Sequence, residues 1–353
     1  MAFTSAAGYN NLPNGVFSPT IYSKKVQKQF RKTAVAKDIT NSDYFGEIKA
    51  FGDSVKIIKE PEVSVQSYAR GTQVTPQDLE DSDFTLTVDR ANYFSFRVDD
   101  IEESQSHVNW MDLASNRAAY KMSMKYDRDI LGYLAGYEYS DPESGGTGLW
   151  TARTTAVGTK SESTADSDEL LGIHKLTRAS FVSGGSASES VSVGTSDTFD
   201  ITPLMRLNRF DRLFAEQNVP LEGRWVVIDP VFAEKLKDEN SKLINNDYNP
   251  GADQLTNGKL IEGTIRGFKV YVSNNLPKIG SGPGIPDTNG SSTDYGVILA
   301  GWQGAAATAE QLAKTESFRD PQSFGDIVRG MHLYGRKVLK PQGLVRCWYS
   351  ANS

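Results

Sequence analysis

The sequence predicts an α+β protein of elongated outline, and three stretches carry the prediction. Two alternating runs, 54–66 and 84–98, have the period of β-strands and flank a turn-rich span. Residues 102–136 hold the period of one long helix. Residues 201–300 alternate helix and strand patterns, as a compact α/β unit does.

Bulk properties set the frame. The chain has 353 residues, enough for two or three packed layers or one subunit of several parts. With 38% hydrophobic and 23% charged residues it has the make-up of a folded protein on the polar side. A formal charge of −6 argues against tight electrostatic binding of nucleic acid. Cys347 is the single cysteine, so no intrachain disulfide can form, which fits a reducing compartment such as the bacterial cytoplasm. Residues 1–14 lack the basic and apolar regions of a signal peptide. No apolar run approaches the ~20 residues of a membrane helix, so no membrane contact is expected.

Residues 1–42 are too polar and irregular to form a core, with Pro13 and Pro19 interrupting them. A short helix is expected from Thr20 to about Arg31. Lys24, Lys25, Lys28, Arg31, Lys32 and Lys37 stand against Asp38 alone. A solvated basic tail is the plainer alternative. Tyr9, Phe17, Tyr22 and Phe30 favour an arm that docks, because tails that stay disordered are poor in aromatics.

The first alternating run puts Val55, Ile57, Val63 and Val65 on one face, and Pro61 suggests an edge or a bulge. The second puts Phe84, Leu86, Val88, Phe94, Phe96 and Val98 together. Between them Ser67 to Asp83, with Gly71 and Pro76, forms a broad tip. A lone two-stranded hairpin is marginal in water, so its apolar face needs cover from its own chain or from a neighbour. From Glu60 to Glu103 there are many carboxylates, among them Glu60, Glu62, Asp78, Glu80, Asp81 and Asp83, against Arg70, Arg90 and Arg97. A solvated face is the commoner meaning of such a run. A basic arm and an acidic hairpin can also attract one another between copies.

No Pro or Gly interrupts Ile101 to Leu131. Asp99, Asp100, Glu102 and Glu103 sit at the start, where the helix dipole favours negative charge. Met111, Ala114, Ala118, Met122, Tyr126, Ile130 and Leu134 recur at helical spacing. Such a helix is roughly 50 Å long, far above the globular average. Residues 138–200, rich in Ser, Thr, Gly and Ala, read as loops and short strands with a short helix near Ser167 to His174.

The α/β unit opens with a helix from Pro203 to Gln217, with Leu204, Leu207, Phe210, Leu213 and Phe214 inward. Trp225 to Ile228 is a buried strand, and Pro230 opens the next helix at a position where a missing N–H costs little. Strands follow at Gly267 to Ser273 and Tyr295 to Ala300. Next comes the Ala-rich stretch Gly304 to Lys314. Asp326 to Tyr334, Arg336 to Lys340 and Gly343 to Tyr349 read as closing strands.

Catalytic, cofactor and metal motifs are not expected. His107, His174 and His332 pair with neither cysteine nor one another at metal spacing. Cys347, in an apolar strand, reads as a buried inert thiol. No nucleophile elbow, dinucleotide fingerprint or phosphate loop occurs. The acidic pairs at 99–103 could suggest a calcium or acid–base site, but helix N-terminal charge accounts for them with less.

The order of parts, with several strings, resembles the major capsid proteins of tailed bacteriophages. The strings are Phe17-Ser18-Pro19-Thr20-Ile21-Tyr22-Ser23, Phe96-Arg97-Val98-Asp99-Asp100, Tyr126-Asp127-Arg128-Asp129-Ile130-Leu131 and Trp225-Val226-Val227-Ile228-Asp229-Pro230. Gly267 to Leu276, Phe324-Gly325-Asp326 and Tyr334-Gly335-Arg336-Lys337-Val338 complete them. The resemblance implies an N-terminal arm (1–42), an extended β-hairpin loop (43–98) and the spine helix of a peripheral domain (99–137). It further implies an insertion or peripheral-domain loops (138–200), an axial domain (201–323) and closing strands (324–353).

Its functional implication is a non-enzymatic subunit that self-assembles, without cofactors, into the icosahedral head around double-stranded DNA. The shell of a cellular protein nanocompartment is the alternative. Implied partners are further copies in hexamers and pentamers, a portal protein, a decoration protein and weakly held DNA. Some relatives carry a scaffold-like domain before the arm; here the arm starts almost at Met1, which points to a separate scaffolding protein. The loop tip has no lysine, so covalent crosslinking there is not supported. The expected location is the virion, after assembly in the host cytoplasm. Phe17, Tyr22, Lys24, Lys25, Lys28, Phe30, Tyr68, Arg70, Asp78, Glu80, Asp81 and Asp83 are the candidate intersubunit residues.

Overall fold

A computed structural model describes residues 34–43, 54–58, 61, 63–71, 73, 76–78, 83–105, 110–152, 175–176, 203–236, 264–279 and 295–349. The first part of the chain holds α1 (Ala36–Ile39), β1 (Ser54–Ile58), β2 (Asp83–Thr87), β3 (Arg90–Asp99), α2 (Asp100–Gln105), α3 (Trp110–Ala135), β4 (Tyr137–Tyr139), β5 (Trp150–Ala152) and β6 (Lys175–Leu176). The second holds α4 (Pro203–Glu216), β7 (Arg224–Ile228), α5 (Pro230–Leu236), β8 (Thr264–Ile265), β9 (Phe268–Val272), β10 (Lys278–Ile279), β11 (Tyr295–Trp302), β12 (Ala306–Arg319), β13 (Gly325–Val338) and β14 (Leu344–Tyr349).

Three layers surround the main core. A seven-stranded mixed sheet runs β6-β14-β11-β7-β9-β8, with β10 also paired to β11. Helices α4 and α5 cover one face: Leu207, Phe210, Phe214, Phe232 and Leu236 pack on Val226, Ile228, Ile298, Val345 and Cys347. The C-terminal half of α3 covers the other, with Tyr126, Ile130, Leu131 and Leu134 on Trp225, Val227, Leu299 and Leu344. A strand packed on both faces needs apolar residues at every position, which is why Trp225 to Ile228 shows no alternation. Gly301 lies opposite Trp225 in the ladder, and the indole occupies the space where a Cβ would stand.

Local signals set these elements. The buried Arg224 guanidinium ties the α4–β7 connection by donating to Pro220 O at 2.8 Å, Val219 O at 2.6 Å and Asp211 Oδ1 at 2.7 Å. Helix α3 ends where Gly136 takes φ 80°, a left-handed conformation that glycine adopts without strain. Its last residue is capped from afar, Arg346 Nη1 donating to Ala135 O at 2.6 Å. Buried residues of α3 start at Met124; none lies between Trp110 and Ser123.

The second sheet is long and antiparallel, in the order β12-β13-β3. β12 and β13 form a hairpin from Ala306 and Val338 to Arg319 and Asp326, with a bulge between Glu310 and Leu312. β3 runs beside β13 from Gly325 opposite Asp99 to Tyr334 opposite Arg90. Gly330 leaves room for the Phe94 ring across the ladder.

Several sequence readings need correction. The run 84–98 is not one hairpin leg: β2 pairs with β1, while β3 leaves to pair with β13, more than two hundred residues away. Described residues of 61–69 are not in a strand, and Pro61 has no N–H with which to extend the β1 ladder. The hairpin base also has cover of its own. Leu86 is fully buried on Ala307, Ala309 and Leu339, with Val55, Ile57 and Val88 beside it, because small alanines let β12 approach. The Ala-rich stretch is part of strand β12, and the two expected strands at 326–340 are the single β13. Gly335 does not break β13; Thr87 O stands where its Cβ would be. The long helix is described as α2 and α3, with 106–109 outside the described residues. The helices expected at Thr20–Arg31 and Ser167–His174 also lie outside them.

Candidate intersubunit surfaces

Surfaces that could join copies are those where apolar residues lack cover from their own chain. The first is the hairpin beyond β1 and β2. Val65 is 98% exposed and Tyr68 68%, and Ile58 and Val63 are also exposed. The two legs are tied by Ser64, whose N–H and hydroxyl donate to Gln77 Oε1 at 3.0 and 2.8 Å. Residues 64 and 77 are thus tied while Val65 and Tyr68 stay exposed. Arg70 and Asp78 are exposed beside them. Asp83 stands opposite Ile58 in the β1–β2 ladder. Phe17, Tyr22, Lys24, Lys25, Lys28, Phe30, Glu80 and Asp81 lie outside the described residues. The structure thus brings Tyr68 and Arg70 into one exposed tip, with Asp78 close in sequence to the Gln77 tie.

The second surface is the outer face of the long sheet, which the sequence reading passed over. Tyr93 on β3 is 83% exposed, Met331 opposite it on β13 is exposed, and Lys314 of β12 completes the row. The next row along carries Glu316, Arg329 and Ser95, and the one beyond it Phe318, Ile327 and Arg97. Arg329 donates to Glu316 at 3.0 Å and lies over the Phe318 ring at 4.8 Å. Phe324, in the turn between β12 and β13, is 78% exposed. Around that turn Arg97 meets Asp320 at 3.4 Å and Arg319 pairs with Asp100. The Ser323 hydroxyl, ahead of Arg97, holds Asp320 below the usual carboxylate range. One signal was legible: with Phe94, Phe96 and Val98 on one face, Tyr93 had to face the other way.

The third feature is the root of the N-terminal segment. Val35, Ala36 and Ile39 are buried beside α3. Asp127 Oδ1 accepts from the N–H groups of Val35 and Ala36, both at 2.7 Å, and Oδ2 accepts from Asn275 Nδ2 at 2.6 Å. Burial pushes the Asp127 carboxyl pKa up, and these donors pull it back. Asn41 N donates to Ala306 O at 2.8 Å, and Thr308 N donates to Asn41 O at 3.0 Å. Lys37 Nζ lies 3.6 Å from Glu310, whose other oxygen is 3.0 Å from His332 Nε2. The last residues of the basic segment therefore dock on their own body.

Two further titratable side chains lie buried in or beside the mixed sheet. Cys347 is buried in β14, and burial pushes its thiol up to about 11. Asp229 is buried beside Lys278 at 3.5 Å, and burial raises its carboxyl. Among the described residues no three His, Cys, Asp or Glu converge as metal ligands. No helix among them is long and apolar enough to cross a membrane.

The family described as phage capsid protein matches residues 59–347. No curated protein sequence matches the chain. Among solved structures, one titled for Mycobacterium phage Che8 is 22% identical with a TM-score of 0.66, over 94% of this chain and 97% of that one. The capsid of cyanophage P-SCSP1u is 20% identical with a TM-score of 0.63, over 97% of each chain. A cyanophage Pam1 capsid chain is 13% identical with a TM-score of 0.64, over 97% of this chain and 99% of that one. At such identities the likeness is one of fold.

Proposed function

The chain belongs to the phage capsid protein family, and from that premise we propose how this major capsid protein builds its shell. Copies join as hexamers and pentamers into the icosahedral head of a tailed phage. Residues 201–323 act as the axial domain at the centre of each ring. α3 acts as the spine helix. Residues 43–98 act as the extended loop, and the tip beyond β1 and β2 lies across an adjacent copy. The observation that carries this is the tip itself: Val65 and Tyr68 project from a base anchored on Ala307, Ala309 and Leu339. Solvent-exposed apolar groups favour burial against another surface.

The basic arm is 1–42, and its described end is anchored where Val35 and Ala36 donate to Asp127. Beyond that anchor Phe17, Tyr22, Lys24, Lys25, Lys28 and Phe30 meet a neighbour, with the acidic loop residues Asp78, Glu80, Asp81 and Asp83 as the complementary charge. A separate scaffolding protein guides assembly in the host cytoplasm; portal and decoration proteins complete the head. Contact with packaged DNA is weak and non-specific, because a net acidic chain neutralises few phosphates.

Electron microscopy of the purified protein tests the reading. Closed polyhedral particles are expected. Replacing residues 63–78 with a short Gly-Ser link should leave a folded subunit that forms none. Particles of unchanged yield and heat resistance from that variant would remove the tip from the account.

A further inference from the structure

His332 lies on β13 with its ring stacked on Tyr334 at 5.0 Å and edge-on to Tyr126 of α3 at 5.3 Å. Nε2 is 3.0 Å from Glu310 Oε1. Nδ1 is buried and has no hydrogen-bond partner among the described residues. Glu310 stands at the bulge of β12, and its Oε2 lies 3.6 Å from Lys37 Nζ on α1. One carboxylate is thus shared between a buried imidazole and an exposed ammonium on the root of the N-terminal segment. From β3 the residue opposite His332 is the uncharged Asn92.

We propose that His332, Glu310 and Lys37 form a proton-operated latch on residues 34–41. With His332 neutral, its Nε2–H donates to Glu310, and Glu310 also holds Lys37. A proton added at Nδ1 places a positive charge between Tyr126 and Tyr334. The imidazolium then draws Glu310 to itself and repels Lys37, so the α1 end of the root loosens. The root yields before the sheet does. The β12–β13 ladder extends from Ala306 to Arg319, whereas the root is held by Asp127, by the Asn41 bridge and by three buried apolar residues.

Burial, opposed by Glu310 and assisted by Lys37, lowers the His332 pKa. A histidine lowered on folding contributes stability above its unfolded value of about 6.5 and loses it as pH falls through the folded one. Loosening therefore belongs on the acid side. Asp127, raised by burial, acts in the opposite sense, but equally in any variant that leaves it untouched.

The test uses the full-length unassembled chain. Amide protection of Val35, Ala36, Asp38, Thr40 and Asn41, corrected for intrinsic exchange, is compared at about pH 7.5 and about pH 5, across the histidine range. In the wild type it should fall about fivefold, the scale of a lost surface ion pair. In His332→Gln it should not fall, because only the opposing Asp127 contribution remains. Lys37→Met leaves the core intact and guards against a His332 variant that does not fold. It should move the His332 ring titration, followed by NMR, to higher pH and flatten the change in protection. Wild-type protection that is level across this range overturns the latch. A His332 titration unmoved by Lys37→Met does so equally.

Discussion

β7 and the hairpin leg around Val63 and Val65 both carry valines, and those valines meet opposite fates. Trp225 to Ile228 have α4 and α5 on one side and α3 on the other, and all are buried. Val63 and Val65 stay exposed, with no cover from the described residues. The difference lies in the surroundings, since helices and strands on both sides supply β7 with a core. The same residue type, valine, serves internal cohesion in one region and offers itself outward in the other.

Substitutions can sharpen that contrast. Phe210→Ala removes a ring from the floor under Val226 and Ile298 and should cost about 3–5 kcal/mol in denaturant unfolding of the subunit. Asp127→Ala strands the N–H groups of Val35 and Ala36 and the Asn275 amide. It should cost roughly 1–3 kcal/mol and raise exchange at residues 35–36. Cys347 offers a probe with almost no energetic cost. With its thiol pushed to about 11, alkylation near pH 8 should be negligible in the folded subunit and rapid once it unfolds. The smallest effect on the subunit belongs to the double change Val65→Ser and Tyr68→Ser, within about 0.5 kcal/mol. The same change should sharply lower particle yield in sedimentation. A large loss of subunit stability from it would mean the tip has cover in its own chain, and the contrast would fail.

Salt separates a further contribution. Removing residues 1–30 should impair assembly more at low than at high ionic strength, because charges far apart on a surface are screened. Equal impairment at both would leave the basic residues without an electrostatic role.

The sequence reached furthest where one element carries its own instructions. The α4 stripe of Leu207, Phe210, Leu213 and Phe214, the solid apolar run of β7 and Pro230 at the start of α5 are local patterns, and each element stands where they predict. It failed where the partner is remote. Phe94 and Phe96 alternate in the same phase as Phe84 and Leu86, so nothing local says that β3 leaves the hairpin for β13. Nor does Asp127, one of several acids on α3, reveal that it will accept the N–H groups of Val35 and Ala36. The exposed sheet face around Tyr93 and Met331 was half legible: the phase was visible, but the strand opposite it was not.

The position of β14 carries a consequence for timing. It lies between β11 and β6, and its Arg346 closes the end of α3. A ribosome delivers it after every other described strand. Until then one long side of β11 is open and the Ala135 carbonyl lacks its donor, so the nascent chain cannot finish its central layer. Domains generally fold as units, so this layer closes only once β14 has joined β11.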